Sequence, residues 1–97
     1  MRTLFTTKQY EKDVKLAKKR GLNIQKLVDI VRLLANDETL PIANRDHPLH
    51  SNLEGYRECH IQPDWLLIYK KGEDGSLCFL ELVRTGSHSD LFCNNKN

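Results

Sequence analysis

The chain has 97 residues, enough for one hydrophobic core and too few for two, so it reads as a single compact domain. With 39% apolar and 29% charged residues, the composition excludes wholesale disorder and collagen-like or membrane chains. The net charge of +2 conceals a division, because residues 1–35 hold nine Lys and Arg against three Asp and Glu, whereas residues 36–97 hold six against ten. A basic first third beside an acidic remainder points to a polyanionic partner, most simply nucleic acid. A solvated helix face is the blander explanation of the same charges.

Leu4-Phe5 is an apolar start suited to an edge strand. No apolar run approaches the roughly 20 residues that a spanning helix requires, and the opening lacks the core of a secretory signal, so a cytoplasmic, membrane-free location is expected. Thr6 and Thr7 can cap a helix that Gly21 ends. Tyr10, Val14 and Ala17 form its core-facing stripe, and Lys8, Lys12, Lys15 and Lys19 fall on the opposite side as a basic ridge suited to phosphate contacts. Asn23 caps a second predicted helix, in which Ile24, Leu27, Val28, Val31 and Leu34 make an apolar face ending near Asn36.

Asp37 to Leu53 reads as a long loop carrying His47 and His50. Strands are predicted at Tyr56 to Ile61, Trp65 to Tyr69 and Leu77 to Arg84, with Lys71 to Gly75 as the turn between the last two. Trp65 to Tyr69, apolar throughout, has the pattern of a central strand covered on both faces. Residues 94–97 look disordered. Three cysteines, Cys59, Cys78 and Cys93, are odd in number and lack a close pair, so they are expected as reduced thiols, two of them in strands. The fold class is α+β, an antiparallel sheet with an N-terminal helical hairpin packed on it.

His47, His60 and His88 stand at loop starts or strand ends, where they can converge on one rim with Asp64 and Arg84. Imidazoles, a carboxylate and a guanidinium suit RNA cleavage. A base takes the 2′-hydroxyl proton, an acid protonates the leaving 5′-oxygen, and a guanidinium clamps the phosphate, with no metal or cofactor needed. Taken singly, each histidine is better explained as a surface or hydrogen-bonded residue. Zinc is the competing reading, but spacings of 13 and 28 residues match no compact ligand motif. Trp65 is expected in the core and Arg57 beside an acid, while His50 has no assigned role.

In order and spacing, Asp46-His47-Pro48-Leu49, Gly55-Tyr56-Arg57, His60, Pro63-Asp64-Trp65, Ile68-Tyr69, Arg84-Thr85-Gly86-Ser87-His88 and Leu91-Phe92 resemble the YafQ-like branch of the RelE toxin superfamily. The likeness spans residues 8 to 92. It implies one toxin domain over residues 1–92 with a flexible tail at 93–97, built on a RelE-like, microbial-RNase-like sheet. It further implies a type II toxin that enters the ribosomal A site beside 16S rRNA and cuts mRNA there, with free RNA a poor substrate and a cognate antitoxin as its silencing partner. By position in the shared motifs, His47, His60, Asp64 and His88 are the catalytic set, with Arg84 on the phosphate and Phe92 positioning the mRNA. Asp64 is then the general base and His88 the general acid. A non-enzymatic nucleic-acid-binding toxin or a ParE-like gyrase inhibitor stands as the alternative, because the fold is shared. An enzyme needs His60, Asp64, Arg84 and His88 in one small cleft, whereas a binding module can scatter them.

Overall fold

The computed structural model describes residues 1–50 and 53–92; the predictions for Cys93 and the 93–97 tail lie outside the described residues. Strand β1 (Thr3–Thr6) is followed by helices α1 (Lys8–Lys19) and α2 (Ile24–Ala35), a single 3-10 turn (Ile42–Asn44), and strands β2 (His47–Pro48), β3 (Arg57–Gln62), β4 (Trp65–Asp74) and β5 (Leu77–Gly86). Helix α3 (His88–Phe92) closes the described chain.

The helices start and stop where their caps are. The Thr7 hydroxyl accepts the Tyr10 N–H at 2.9 Å and donates to the Val83 carbonyl at 2.7 Å, so one cap both opens α1 and ties it to β5. Gly21, at φ +79°, ends α1: its N–H reaches the Lys18 carbonyl and the Leu22 N–H reaches that of Ala17, the paired bonds of a left-handed helix stop. At the end of α2 the left-handed position is taken by Asp37 (φ 57°), whose side chain accepts from Arg2 and Lys71. Val28, predicted on the apolar face, is 40% exposed, and Ile30 is buried instead.

Five strands form one sheet in the order β1-β5-β4-β3-β2. The four later strands pair antiparallel, while β1 joins β5 in parallel with Leu4 beside Leu80. The hairpin between β4 and β5 is longer and tighter than predicted. Lys71 to Asp74 continue the ladder opposite Leu77 to Leu80, leaving Gly75 (φ +64°) and Ser76 as the turn. Gly72 is fixed by packing, since a Cβ there would lie 2.5 Å from the Phe79 ring. The predicted 37–53 loop is likewise partly ordered into the 3-10 turn and β2, so His47 sits in a short edge strand.

The core lies between the helical hairpin and one sheet face, where Tyr10, Ala17, Leu27, Ile30, Val31 and Leu34 meet Cys59, Trp65, Leu67, Tyr69, Leu80 and Leu82. Trp65 is a core residue, as expected; its indole N–H donates to the Thr85 hydroxyl at 2.9 Å. Burial pushes the Cys59 thiol up to about 12, so it packs as an apolar group rather than a nucleophile. Leu66 and Ile68 are as buried as their neighbours but belong to the opposite face, where the candidate site residues gather.

Candidate active site

Cross-strand partners share a sheet face, so the register assembles the site. One row runs His47, Glu58, Ile68, Arg84 across β2 to β5, and the next runs His60, Leu66, Gly86. Leu66 and Ile68 give these polar groups an apolar floor. Arg84 reaches this face through an irregularity. Leu80 and Leu82 face the helices, and strict alternation would turn Arg84 the same way, into the core. The ladder instead shifts between Ile68 and Tyr69, with Arg84 opposite Ile68 and Leu82 opposite Tyr69, so Val83 is an extra residue that re-aims Arg84 outward.

His88 follows Gly86 on α3, a helix that the sequence reading missed. Ser87 and Asp90 cap it reciprocally: the Asp90 N–H donates to the Ser87 hydroxyl at 3.1 Å and the Ser87 N–H donates to the Asp90 carboxylate at 3.0 Å. Arg20, at the end of α1, pairs with that carboxylate at 2.7 Å and, with the Ser87 N–H, holds its pKa well below the usual carboxylate range. A Cβ on Gly86 would lie 3.0 Å from Asp90, so glycine lets α3 fold back against the strand.

The rim this creates is compact. The Asp64 Oδ1 atom accepts from the His88 backbone N–H at 3.0 Å and lies 2.6 Å from His88 Nδ1, and these two bonds, the backbone one foremost, lower the Asp64 pKa. The bond on Nδ1 fixes the ring's tautomer and orientation and leaves Nε2 for a substrate. The His60 and His88 rings stand 5.6 Å apart at 59°. On the far side of His60, Glu58 is nearly buried, with its Oε1 atom 3.1 Å from His47 Nε2 and 3.7 Å from His60 Nε2. An open cleft of about 580 Å³ runs past His60 and His88, walled by Asn44, Arg45, Gln62 and Pro63. Phe92, one helical turn beyond His88, is 40% exposed.

The structure therefore brings together His47, His60, Asp64 and His88, with Arg84 on the same face. The Arg84 guanidinium is not free, because Asp13 of α1 holds it at 2.8 and 3.1 Å. Lys8, Lys12, Lys15 and Lys19 are all exposed, as a ridge requires. Arg57 does pair with an acid, Asp46, which also accepts from the Tyr69 hydroxyl. His50 is exposed. Sequence reasoning missed Glu58, Asp13 and Asp90. Each left a signal: Glu58 is two residues from His60 and so on its face, Asp13 interrupts the apolar stripe of α1, and Ser87-His88-Ser89-Asp90 contains a capping pattern. Among the described residues, His47, Glu58 and His60 could also hold a metal ion, with ligand atoms all within 4.8 Å of one another.

A sheet of this topology with a helical hairpin packed on it is the fold of the RelE-like toxins. The model of the family described as bacterial toxin of type II toxin-antitoxin system, YafQ, matches residues 2–93. The chain is 46% identical over 85 residues to the mRNA interferase toxin YafQ of Escherichia coli strain K12, covering 87% of this chain and 88% of that protein. Its fold is similar to YafQ in the crystal structure of the E. coli DinJ-YafQ toxin-antitoxin complex, with a TM-score of 0.84, 43% identity, and coverage of 94% of this chain and 97% of that one. The crystal structure of a metal-bound toxin from Helicobacter pylori is also similar, with a TM-score of 0.85, 41% identity, and coverage of 95% and 100%. The chain belongs to the YafQ family of bacterial type II toxin–antitoxin toxins.

Proposed function

We propose that this toxin is a ribosome-dependent mRNA endonuclease that works in the cytoplasm and is silenced by a cognate antitoxin. The mRNA interferase relative and the DinJ-bound relative support the substrate and the partner. The observation that carries the reading is the Asp64–His88 pair beside His60, the two rings 5.6 Å apart and both lining one open cleft. A binding module or gyrase inhibitor has no need of that convergence.

In the reaction, the 2′-oxygen attacks phosphorus and the bond to the 5′-oxygen breaks. The products are a 2′,3′-cyclic phosphate and a free 5′-hydroxyl. As an imidazolium, held on Nδ1 by Asp64, His88 gives its Nε2 proton to the leaving oxygen. Asp64 departs from the role the family resemblance implies. A carboxylate with lowered proton affinity and two bonds to His88 is a poor base and a good orienting group, which leaves proton removal to His60, backed by Glu58 and His47. Arg84 stabilises the charge developing on the phosphate. The chemistry runs without a metal, and a divalent ion on His47, Glu58 and His60 would occupy the lone pairs that the base requires.

With no metal and no strong nucleophile, rate must come from how the substrate is held, and such positioning supplies up to roughly 7–11 kcal/mol in well-oriented systems. The ribosome provides that hold, with the Lys8, Lys12, Lys15 and Lys19 ridge docking on 16S rRNA. The test compares one message, translated and untranslated, with purified protein and mapped ends. In-frame cuts at A-site codons on the translated RNA alone are expected. Equal cutting of naked RNA would make the protein a free-standing ribonuclease, and no cutting of either would favour the binding module.

A further inference from the structure

We propose that Asp13 is a positioning residue for RNA cleavage: it grips one edge of the Arg84 guanidinium so that the other edge meets the scissile phosphate in a fixed plane. The inference rests on the ribonuclease reading of the site.

Asp13 lies on the face of α1 that the core claims, beside Tyr10 and Ala17, and it is 7% exposed. A buried carboxylate is tolerated only when fully partnered. Its Oδ2 atom accepts from Arg84 Nε at 2.8 Å and from the Thr85 backbone N–H at 3.1 Å, and Oδ1 accepts from Arg84 Nη2 and from Gln9 Nε2, each at 3.1 Å. The fold alone gives little reason for the pair, since well-packed apolar residues in place of a buried ion pair are often neutral or stabilising.

The geometry divides the guanidinium in two. Nε and Nη2 form its side edge, taken by Asp13. Nη1 and the second hydrogen of Nη2 form its end edge, a fork that matches two phosphate oxygens, on a side chain still 32% exposed. Asp13 is itself fixed. Beyond Leu82, where β1 stops pairing, it takes over the edge of β5 at Thr85, whose hydroxyl is held by Trp65 and by the Leu66 carbonyl at 2.6 Å. The grip also places a negative charge behind Arg84, which weakens its general pull on phosphates. Asp13 therefore favours geometry over affinity.

That opposition supplies the test. Single-turnover cleavage on saturating translating ribosomes is compared for the wild type, D13N, R84A, R84K and the D13N/R84A double variant, with ribosome binding measured alongside. D13N should cleave about 10- to 100-fold more slowly, the scale of a misplaced catalytic group, while binding ribosomes as tightly as the wild type or more tightly. In the R84A background D13N should cost less than about threefold more, because the two act as a unit. An equal further loss in that background would show that Asp13 acts through the fold and would overturn the proposal. R84K keeps Asp13 and the core intact, so it remains a test where D13N fails to fold. An ammonium cannot be held along one edge while offering another, so R84K should be nearly as slow as R84A, and wild-type cleavage by R84K would overturn the proposal. Wild-type cleavage by R84A would remove Arg84 from the chemistry and this inference with it. Absence of cleavage by the wild-type protein would instead sink the ribonuclease reading.

Discussion

On the helix-covered face of the sheet, Trp65, Leu67 and Tyr69 pack into the core; on the opposite face, Leu66 and Ile68 carry a row of histidines, a buried glutamate and an arginine. The two faces are one residue apart along β4 and share its backbone, yet they answer to different physics. The covered face is governed by apolar burial and tolerates little change in volume. The open face gathers polar groups into pairs, and its geometry comes from elements outside the sheet, with α1 holding Arg84 through Asp13 and holding α3 through the Arg20–Asp90 bridge. The separation means that the two faces can be broken independently.

The largest expected effect is on the open face. His88→Ala should slow single-turnover cleavage by roughly 10²- to 10⁴-fold, the range of general acid–base catalysis, with ribosome affinity and melting temperature nearly unchanged. A variant that cuts at the wild-type rate, or that simply unfolds, would make His88 a structural residue. The matching change on the covered face is Leu67→Ala, which should cost roughly 2–5 kcal/mol of stability by opening a cavity. At temperatures where that variant is folded, its cleavage rate should stay near wild type. A catalytic defect as deep as that of H88A in the folded variant would show that the faces are not separable.

How much of this division could be read from the sequence depended on how local its causes are. The helices and the three long strands were legible because caps, glycine stops and apolar periods are written within a few residues, as with Thr7, Gly21 and Asn23. His60, Asp64 and His88 were legible as a rim because each stands at a strand end or just beyond one. The parallel pairing of β1 was not, since an edge strand of four residues carries no sign of its direction. Nor was the extra residue at Val83, which decides where Arg84 points and exists only as a relation between two strands. Helix α3 is too short for a period to show, and the role of Asp13 depends on a partner 71 residues away.

Two smaller effects sharpen the comparison. Replacing Lys8, Lys12, Lys15 and Lys19 with Glu should weaken ribosome binding steeply and flatten its salt dependence, each neutralised phosphate contributing a log–log slope of about −0.9 at most by analogy with duplex DNA. Unchanged binding would remove α1 from the docking surface. The smallest effect concerns the α3 anchor. Because the folded-state pKa of Asp90 lies below its unfolded value, the stabilisation is fully present above the ordinary carboxylate range and is lost as pH falls through the folded value. Arg20→Ala should therefore lower the urea midpoint slightly at neutral pH, since a solvent-screened ion pair that also supports a helix cap contributes little. Urea midpoints followed downward in pH should then draw together, and a gap that stays constant with pH would contradict the linkage.

The central claim is that the open face cleaves RNA by attack of the 2′-oxygen, with imidazoles moving the protons. The chemistry of the cut ends tests it directly. After cleavage of a translated message by the purified toxin, the upstream fragment should end in a 2′,3′-cyclic phosphate, or the 3′-phosphate to which it opens, and the downstream fragment should begin with a 5′-hydroxyl. An upstream 3′-hydroxyl and a downstream 5′-phosphate would mean that water, not the 2′-oxygen, attacked phosphorus, and would contradict the account.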